Sequence, residues 1–175
     1  LSIIKANTFQ DRGGNVLLSS DGSGTISAGG AITNTPAFQI HMSANQSVSN
    51  DTWTKVELSN EIFDTNNAFD TSTYRFTVPT GLGGKYLFHY GAQIADINDT
   101  KRGAARFYKN GAGYNFGRNN NYSSSVGAAL YCIGSAIITM NAGDYLELYV
   151  YQNNGEAQAV YSAATFLSGS RLIGA

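Results

Sequence analysis

The sequence predicts an all-β domain of about ten short antiparallel strands, closed as a sandwich, a jelly roll or a barrel. Three observations carry that reading. Apolar and polar residues alternate with period two in segment after segment, as a half-buried strand requires. Aromatics reach 12 % with 20 glycines, while charged residues stand at 13 %, a composition suited to pleated surfaces joined by tight turns. No segment shows a 3.6-residue apolar period with caps at both ends.

Taken in order, residues 1–36 differ from the rest. Short apolar patches, Ile3-Ile4 and Val16-Leu17-Leu18, alternate with turn signals at Gly13-Gly14-Asn15, Asp21-Gly22-Ser23-Gly24 and Gly29-Gly30. Short strands are expected there, too poor in large side chains to form a core alone, so this arm is predicted to dock on something else. From Pro36 the pattern becomes regular. "AFQIHMSA" sets Phe38, Ile40 and Met42 against Gln39, His41 and Ser43, and "WTKVEL" sets Trp53 and Lys55 against Thr54 and Val56. Tyr74, Phe76 and Val78 alternate with Arg75 and Thr77 until Pro79 withholds a ladder donor. Tyr86, Phe88 and Tyr90 alternate with Leu87 and His89. "ARFYKNGAGYNFGR" predicts a hairpin around Asn110-Gly111, a pair that accepts the positive φ of a type I′ turn. "ALYCIGSAIITM" is continuously apolar and reads as a strand buried on both faces. "DYLELYVYQ" sets Leu146, Leu148 and Val150 against Tyr145, Glu147, Tyr149 and Tyr151, and "ATFLSGSRLIGA" closes the chain.

Several function classes are excluded or weakened. A net charge of −1 gives no global field for nucleic acid or membrane. No apolar run approaches the roughly 20 residues a spanning helix needs. The chain opens at Leu1 rather than Met and shows no signal peptide, which leaves open the reading that upstream residues, a signal peptide among them, were removed. The single cysteine, Cys132, rules out an intrachain disulfide framework and reads as a small buried hydrophobe. There is no Gly-x-Ser-x-Gly elbow, and the two histidines, His41 and His89, sit singly in alternating strands. "GLGGK" fails as a phosphate loop because Tyr86 follows Lys85 and no helix follows. No cofactor is expected. Asp96 and Asp99 in "ADINDTKRG" are weak calcium candidates, weighed against a solvated turn.

One bias is local. Lys101, Arg102, Arg106, Lys109 and Arg118 crowd an 18-residue span without an acid, interleaved with Tyr108, Tyr114 and Phe116. Three readings fit, in this order: a solvated hairpin whose charges block edge aggregation, contact with anionic glycans, and stacking on nucleic-acid bases. The ligand-contact candidates are Lys101, Arg102, Arg106, Lys109, Tyr114 and Arg118.

Five motifs in order resemble the globular head of complement C1q and its relatives, the jelly roll shared with tumour necrosis factor. They are Phe69-Asp70 with Tyr74-x-Phe76-x-x-Pro79, Gly84 with Tyr86-x-Phe88, Lys109-Asn110-Gly111, Gly143-Asp144-Tyr145-Leu146-Glu147-Leu148, and Phe166-Leu167-Ser168-Gly169-Ser170-Arg171-Leu172. The resemblance covers residues 37–175 and implies a ten-stranded antiparallel jelly-roll sandwich after the 1–36 arm. Paired cysteines and a collagen-like stalk, features of secreted vertebrate members, are absent. The arm, with "KANTFQDRGGNVLLSSDGSGTIS", is similar to attachment regions of tail-fibre and other virion proteins of tailed bacteriophages.

Together these imply a non-enzymatic virion structural protein, its arm docked on other particle proteins and its head projecting as a fibre tip or capsid decoration, in contact with host glycans. The alternative is a secreted C1q-like lectin or cytokine-like ligand. "HYGAQIA" and "ALYCIGSAII" are apolar on both faces, more than a lone sandwich requires, and the resemblance implies a homotrimer. Candidates for that interface are Tyr86, Phe88, Tyr90, Tyr131, Ile133, Tyr149 and Tyr151.

Overall fold

The computed structural model describes residues 6–28 and 35–172. The expected patch at Ile3-Ile4 and the turn at Gly29-Gly30 lie outside the described residues. The chain divides into two compact units, one running up to Asn34 and one covering Thr35–Leu172.

In the first unit, β1 (Thr8–Gln10), β2 (Val16–Ser20) and β3 (Ile26–Ala28) form an antiparallel meander. Asp side chains organise both turns. Asp11 Oδ1 accepts from the amides of Gly13 at 2.8 Å and Asn15 at 2.9 Å. Asp21 Oδ1 accepts from Ser23 at 2.8 Å and Thr25 at 3.2 Å. Such Asx turns fold locally, but they bury nothing: Phe9, Leu17 and Ile26 remain largely exposed.

The second unit is a sandwich of two antiparallel sheets, and its only described helical turn is a 3-10 turn over Ser162–Ala164. The first sheet contains β4 (Ala37–Met42), β5 (Gln46–Val48), β7 (Leu58–Asp64), β10 (Gly84–Ile97), β14 (Ala128–Met140), β16 (Gln158–Val160) and β17 (Phe166–Arg171). Strand β10 is its spine, with β14 along one flank and β17 and β16 along the other; β4 and β7 follow β17 to the far edge. The second sheet contains β6 (Thr54–Lys55), β8 (Phe69–Asp70), β9 (Arg75–Thr77), β11 (Arg102–Lys109), β12 (Ala112–Gly113), β13 (Asn119–Tyr122) and β15 (Tyr145–Gln152). Several are two-residue bridges, so the strand count depends on where a strand is taken to begin.

The core between the sheets follows from the period of two. Phe38, Ile40 and Met42 of β4, Tyr86, Phe88 and Tyr90 of β10, and Leu146, Leu148 and Val150 of β15 all turn inward and are buried. Aromatic rings interlock across the gap: Phe38 stacks on Phe76 at 4.7 Å, and Tyr90 meets Phe107 edge-on at 5.0 Å. The β11–β12 hairpin turns on Asn110 and Gly111, both at positive φ (52° and 78°), as a type I′ turn demands.

Two expectations are corrected. Tyr74 does not begin a strand; at φ 55° it ends a turn in which the Asp70 carboxylate accepts from Ser72 and Thr73, and the strand starts at Arg75. Strand β14 is buried on one face only, because a single sheet packs on it within the subunit; Tyr131, Ile133 and Ile137 point outward and are more than half exposed.

Candidate functional site

The sandwich offers two outer faces of opposite character. On the first sheet, the ladder sets β14, β10 and β17 in rows: Ile137–Leu87–Ser170, Ser135–His89–Ser168 and Ile133–Gly91–Phe166. Exposed apolar side chains form a ridge along β14, with Tyr131 at 56 %, Ile133 at 68 % and Ile137 at 58 % exposure. Towards the other edge lies a shallow cleft of about 250 Å³, lined by Phe63, Leu87, His89 and Ser168 among others. Nothing in the cleft resembles a catalytic arrangement. His41 lies elsewhere on this sheet, its Nδ1 3.0 Å from the Met42 carbonyl and its Nε2 2.6 Å from Asn60 Nδ2.

The second sheet turns cations and rings outward. Register places Arg106 opposite Tyr149, Tyr108 opposite Glu147, Lys55 opposite Tyr149, and Tyr122 opposite Arg102, all on one face. Tyr108 and Tyr149 stack at 3.7 Å, and Trp53 packs at 5.4 Å from Tyr151. Guanidinium groups lie over these rings: Arg75 over Tyr145 at 3.7 Å, Arg102 over Tyr151 at 4.3 Å, and Arg106 over Trp53 at 4.2 Å. Arg118 also approaches Trp53, at 5.6 Å. Such cation–π pairs contribute about 0.5–2 kcal/mol each, more as water is excluded.

Acids on this face are occupied. Glu147 is almost wholly buried, and its Oε1 takes Lys55 Nζ at 3.2 Å and Arg75 Nη2 at 2.9 Å. Asp51 accepts the Tyr151 hydroxyl at 2.6 Å, and this bond to a carboxylate is the main reason the phenol holds its proton above its ordinary range. Burial chiefly raises Tyr149 as well. Arg102, Arg106 and Arg118 take part in none of the ion pairs among the described residues. The Nε atoms of Arg102 and Arg106 are buried without a hydrogen-bond partner, a state that costs about 1–3 kcal/mol per group.

The sequence-predicted residues therefore scatter. Tyr86, Phe88 and Tyr90 cannot meet a partner, because they fill the subunit's own core. Tyr149 and Tyr151 belong to the second sheet and are covered by Tyr108, Trp53 and Arg102, whereas Tyr131 and Ile133 belong to the first and are exposed. Of the ligand-contact candidates, Arg102, Arg106 and Arg118 converge. Lys109 is tied to Asp144 at 2.9 Å and to the Thr139 carbonyl at 2.8 Å. Tyr114 packs against the core. Lys101 sits in the β10–β11 loop, its amide bonded to the Asn98 carbonyl at 3.0 Å. Asp96 and Asp99 gain no third ligand: among the described residues no group of three His, Cys, Asp or Glu side chains could hold a metal ion. Burial pushes the Cys132 thiol up to about 12, so it is inert as a nucleophile. Sequence reasoning missed Ile137, which continues the odd-numbered row from Tyr131, and Trp53, which alternation alone places beside Lys55 without indicating its neighbours. Phe63 had no signal at all, since "SNEIFD" does not alternate.

No protein-family model matches the sequence. The uncharacterized protein YqcC of Bacillus subtilis (strain 168) is 33 % identical over 121 residues, which are 66 % of this chain and 32 % of that protein. The chain thus spans about a third of the length of this curated relative. Among solved structures, the globular domain of zebrafish complement 1qA protein superposes with a TM-score of 0.58 at 18 % identity, over 78 % of this chain and 96 % of that one. The Eiger TNF from S. frugiperda gives 0.57 at 17 % identity, over 82 % and 96 %. Murine APRIL gives 0.56 at 15 % identity, over 78 % and 98 %. At these identities the likeness is one of fold: the second unit is a jelly roll of the C1q and TNF type. No helix among the described residues is long and apolar enough to cross a membrane.

Proposed function

We propose that this chain is a non-enzymatic, homotrimeric virion protein of a tailed phage, held on the particle by its N-terminal arm, residues 1–36, and displaying its head, residues 37–175, as a fibre tip or capsid decoration. The observation that carries the assembly is the β14 ridge. Tyr131, Ile133 and Ile137 form one exposed row, and burying each contributes about 1.5–3 kcal/mol. The ridge runs along one edge of the sheet and the cleft beside Phe63 lies towards the other. A ridge that enters the next subunit's cleft makes a heterologous contact, which closes into a ring when the rotation allows. Three is the number that the C1q and TNF resemblance implies.

Attachment is supported by the first unit, whose Phe9, Leu17 and Ile26 stay exposed on three short strands; apolar side chains left in water favour a partner that covers them. Docking on other virion proteins provides that cover, and host glycans are the ligands for the displayed head. A bacterial relative at 33 % identity favours a bacterial or phage setting over a secreted animal lectin or cytokine-like ligand.

Light scattering on the purified chain tests the assembly. The expected mass is three times the 18.6 kDa subunit, and Ile133→Asp with Ile137→Asp reduces it to that of one subunit with the fold intact by circular dichroism. A wild-type monomer at micromolar concentration overturns it. Antibody labelling of purified particles tests the location, and unlabelled particles overturn that part.

A further inference from the structure

We infer that the outer face of the second sheet is a binding site for acidic saccharides, with a sugar carboxylate seated between Arg106 and Arg118 beside Trp53. The inference deepens the glycan part of the proposed function and does not depend on threefold assembly, because every residue it invokes belongs to one subunit.

Two guanidinium groups converge on one indole, 4.2 and 5.6 Å from its centroid. Like charges gather at such a spot at a cost unless an anion joins them. Among the described residues neither has a carboxylate partner. Arg106 Nη2 donates to the Tyr108 hydroxyl at 2.9 Å, and its Nε is buried and unpartnered. Arg118 Nε and Nη2 both donate to Asn120 Oδ1, at 3.2 and 3.0 Å, which aims the fork while leaving the side chain exposed. The neighbouring acids cannot serve, since Glu147 holds Lys55 and Arg75 and Asp51 holds Tyr151. The backbone makes room for this arrangement: a Cβ on Gly113 would sit 2.7 Å from both terminal nitrogens of Arg106.

The shape of the charge selects the ligand class. A polynucleotide needs a track of cations along its phosphates, but Lys109, Lys55 and Arg75 are neutralised by Asp144 and Glu147. What is left, besides Lys101 in the β10–β11 loop, is a compact group, Arg102, Arg106 and Arg118, whose planar forks match single carboxylates. Beside it, the exposed Tyr122 presents a flat apolar surface of the kind a pyranose ring stacks on, while the half-buried Trp53 lies under the two guanidinium groups and reports on them. The Tyr108 hydroxyl and the Asn120 amide offer partners for sugar hydroxyls.

The chain's single tryptophan makes the site report on itself. Hexagalacturonate and sialyllactose are titrated into the full chain while Trp53 emission is followed, with methyl-esterified hexagalacturonate, sulfated dextran and a single-stranded DNA 20-mer alongside. At least one carboxylated sugar is expected to change the emission saturably, and more weakly as salt rises. Arg106→Gln and Arg118→Gln each weaken that binding by about tenfold or more, as loss of a charge-assisted hydrogen bond predicts. Gly113→Ala keeps every charge, displaces the Arg106 guanidinium, and weakens binding too. Lys85→Gln, an equal charge change on the other sheet, leaves affinity within about twofold. Urea midpoints show that each variant is folded. No saturable response to either sugar, equal binding of the methyl ester, an equal loss from Lys85→Gln, or tighter binding of DNA or sulfated dextran overturns the inference. Light scattering on the same samples separates it from the assembly: a monomer that binds overturns only the trimer, and a trimer that does not bind overturns only the site.

Discussion

Strands β14 and β15 belong to the same sandwich and bury alternate residues in the same core, yet what they turn outward differs. Along β14 no ring or cation among the described residues lies over the outward Tyr131, Ile133 and Ile137, and each is more than half exposed. Along β15 the outward residues Tyr145, Tyr149 and Tyr151 are each covered, by Arg75, Tyr108, and Trp53 with Arg102. One face has apolar area without a partner inside the subunit. The other covers its rings internally and is left with guanidinium groups, those of Arg102, Arg106 and Arg118, that pair with no carboxylate among the described residues. The contrast teaches that outward aromatics do not by themselves mark an interface; what covers them decides.

The sharpest way to break this comparison uses two adjacent residues of β14. Ile138 is buried and Ile137 is not. Ile138→Ala is expected to cost about 2–5 kcal/mol in urea denaturation. Ile137→Ala is expected to cost less than about 1 kcal/mol of subunit stability, measured below the assembly concentration, and to weaken association instead. Equal costs would mean that the ridge is not the free surface described here. Next comes the buried carboxylate of the second sheet. Glu147→Gln removes the charge that Lys55 and Arg75 share, and both cations keep about a third of their side chains in water (31 and 33 %). A loss of about 3 kcal/mol is expected, at the low end for breaking a buried pair. A neutral result would show that the cations relax into solvent.

The smallest effect concerns pH. Asp144 is lowered from its ordinary 3.8 to about 2, first by the Asn110 side-chain amide, then by the Asn141 backbone and Lys109. Between those values the folded chain binds fewer protons than the unfolded one. The stability this carboxylate contributes is therefore full above about pH 4 and is lost as pH falls towards 2. Asp144→Asn should flatten that acid limb by less than about 1 kcal/mol, since the pair is only partly shielded. An unchanged limb in thermal melts from pH 5 to pH 2 would assign it to other carboxylates.

Much of the fold was legible because the side-chain period of a strand is local. Leu146, Leu148 and Val150 announce an inward face, and Asn110-Gly111 announces a turn, from residues adjacent in the chain. Tyr74 was misread because alternation does not reveal that the Asp70 side chain will capture the amides of Ser72 and Thr73. The interface candidates on β10 were misassigned for a related reason: alternation identifies two faces of a strand without saying which one is inside. In the site, the acid-free run from Lys101 to Arg118 was visible, but that Lys109 is neutralised 35 residues away by Asp144, and that Trp53 lies under Arg106 and Arg118, was not.

By itself, then, the sequence determined an all-β chain, its turns, its strand periodicity and a local excess of cations, all of which depend on residues near one another. The tertiary structure alone decided which face of β14 stays bare, which cations keep their charge unpaired, and which indole they share. Those outcomes come from strand register and sheet-on-sheet packing, contacts between residues a hundred positions apart or more, such as Tyr151 with Asp51, whose energies no local pattern encodes.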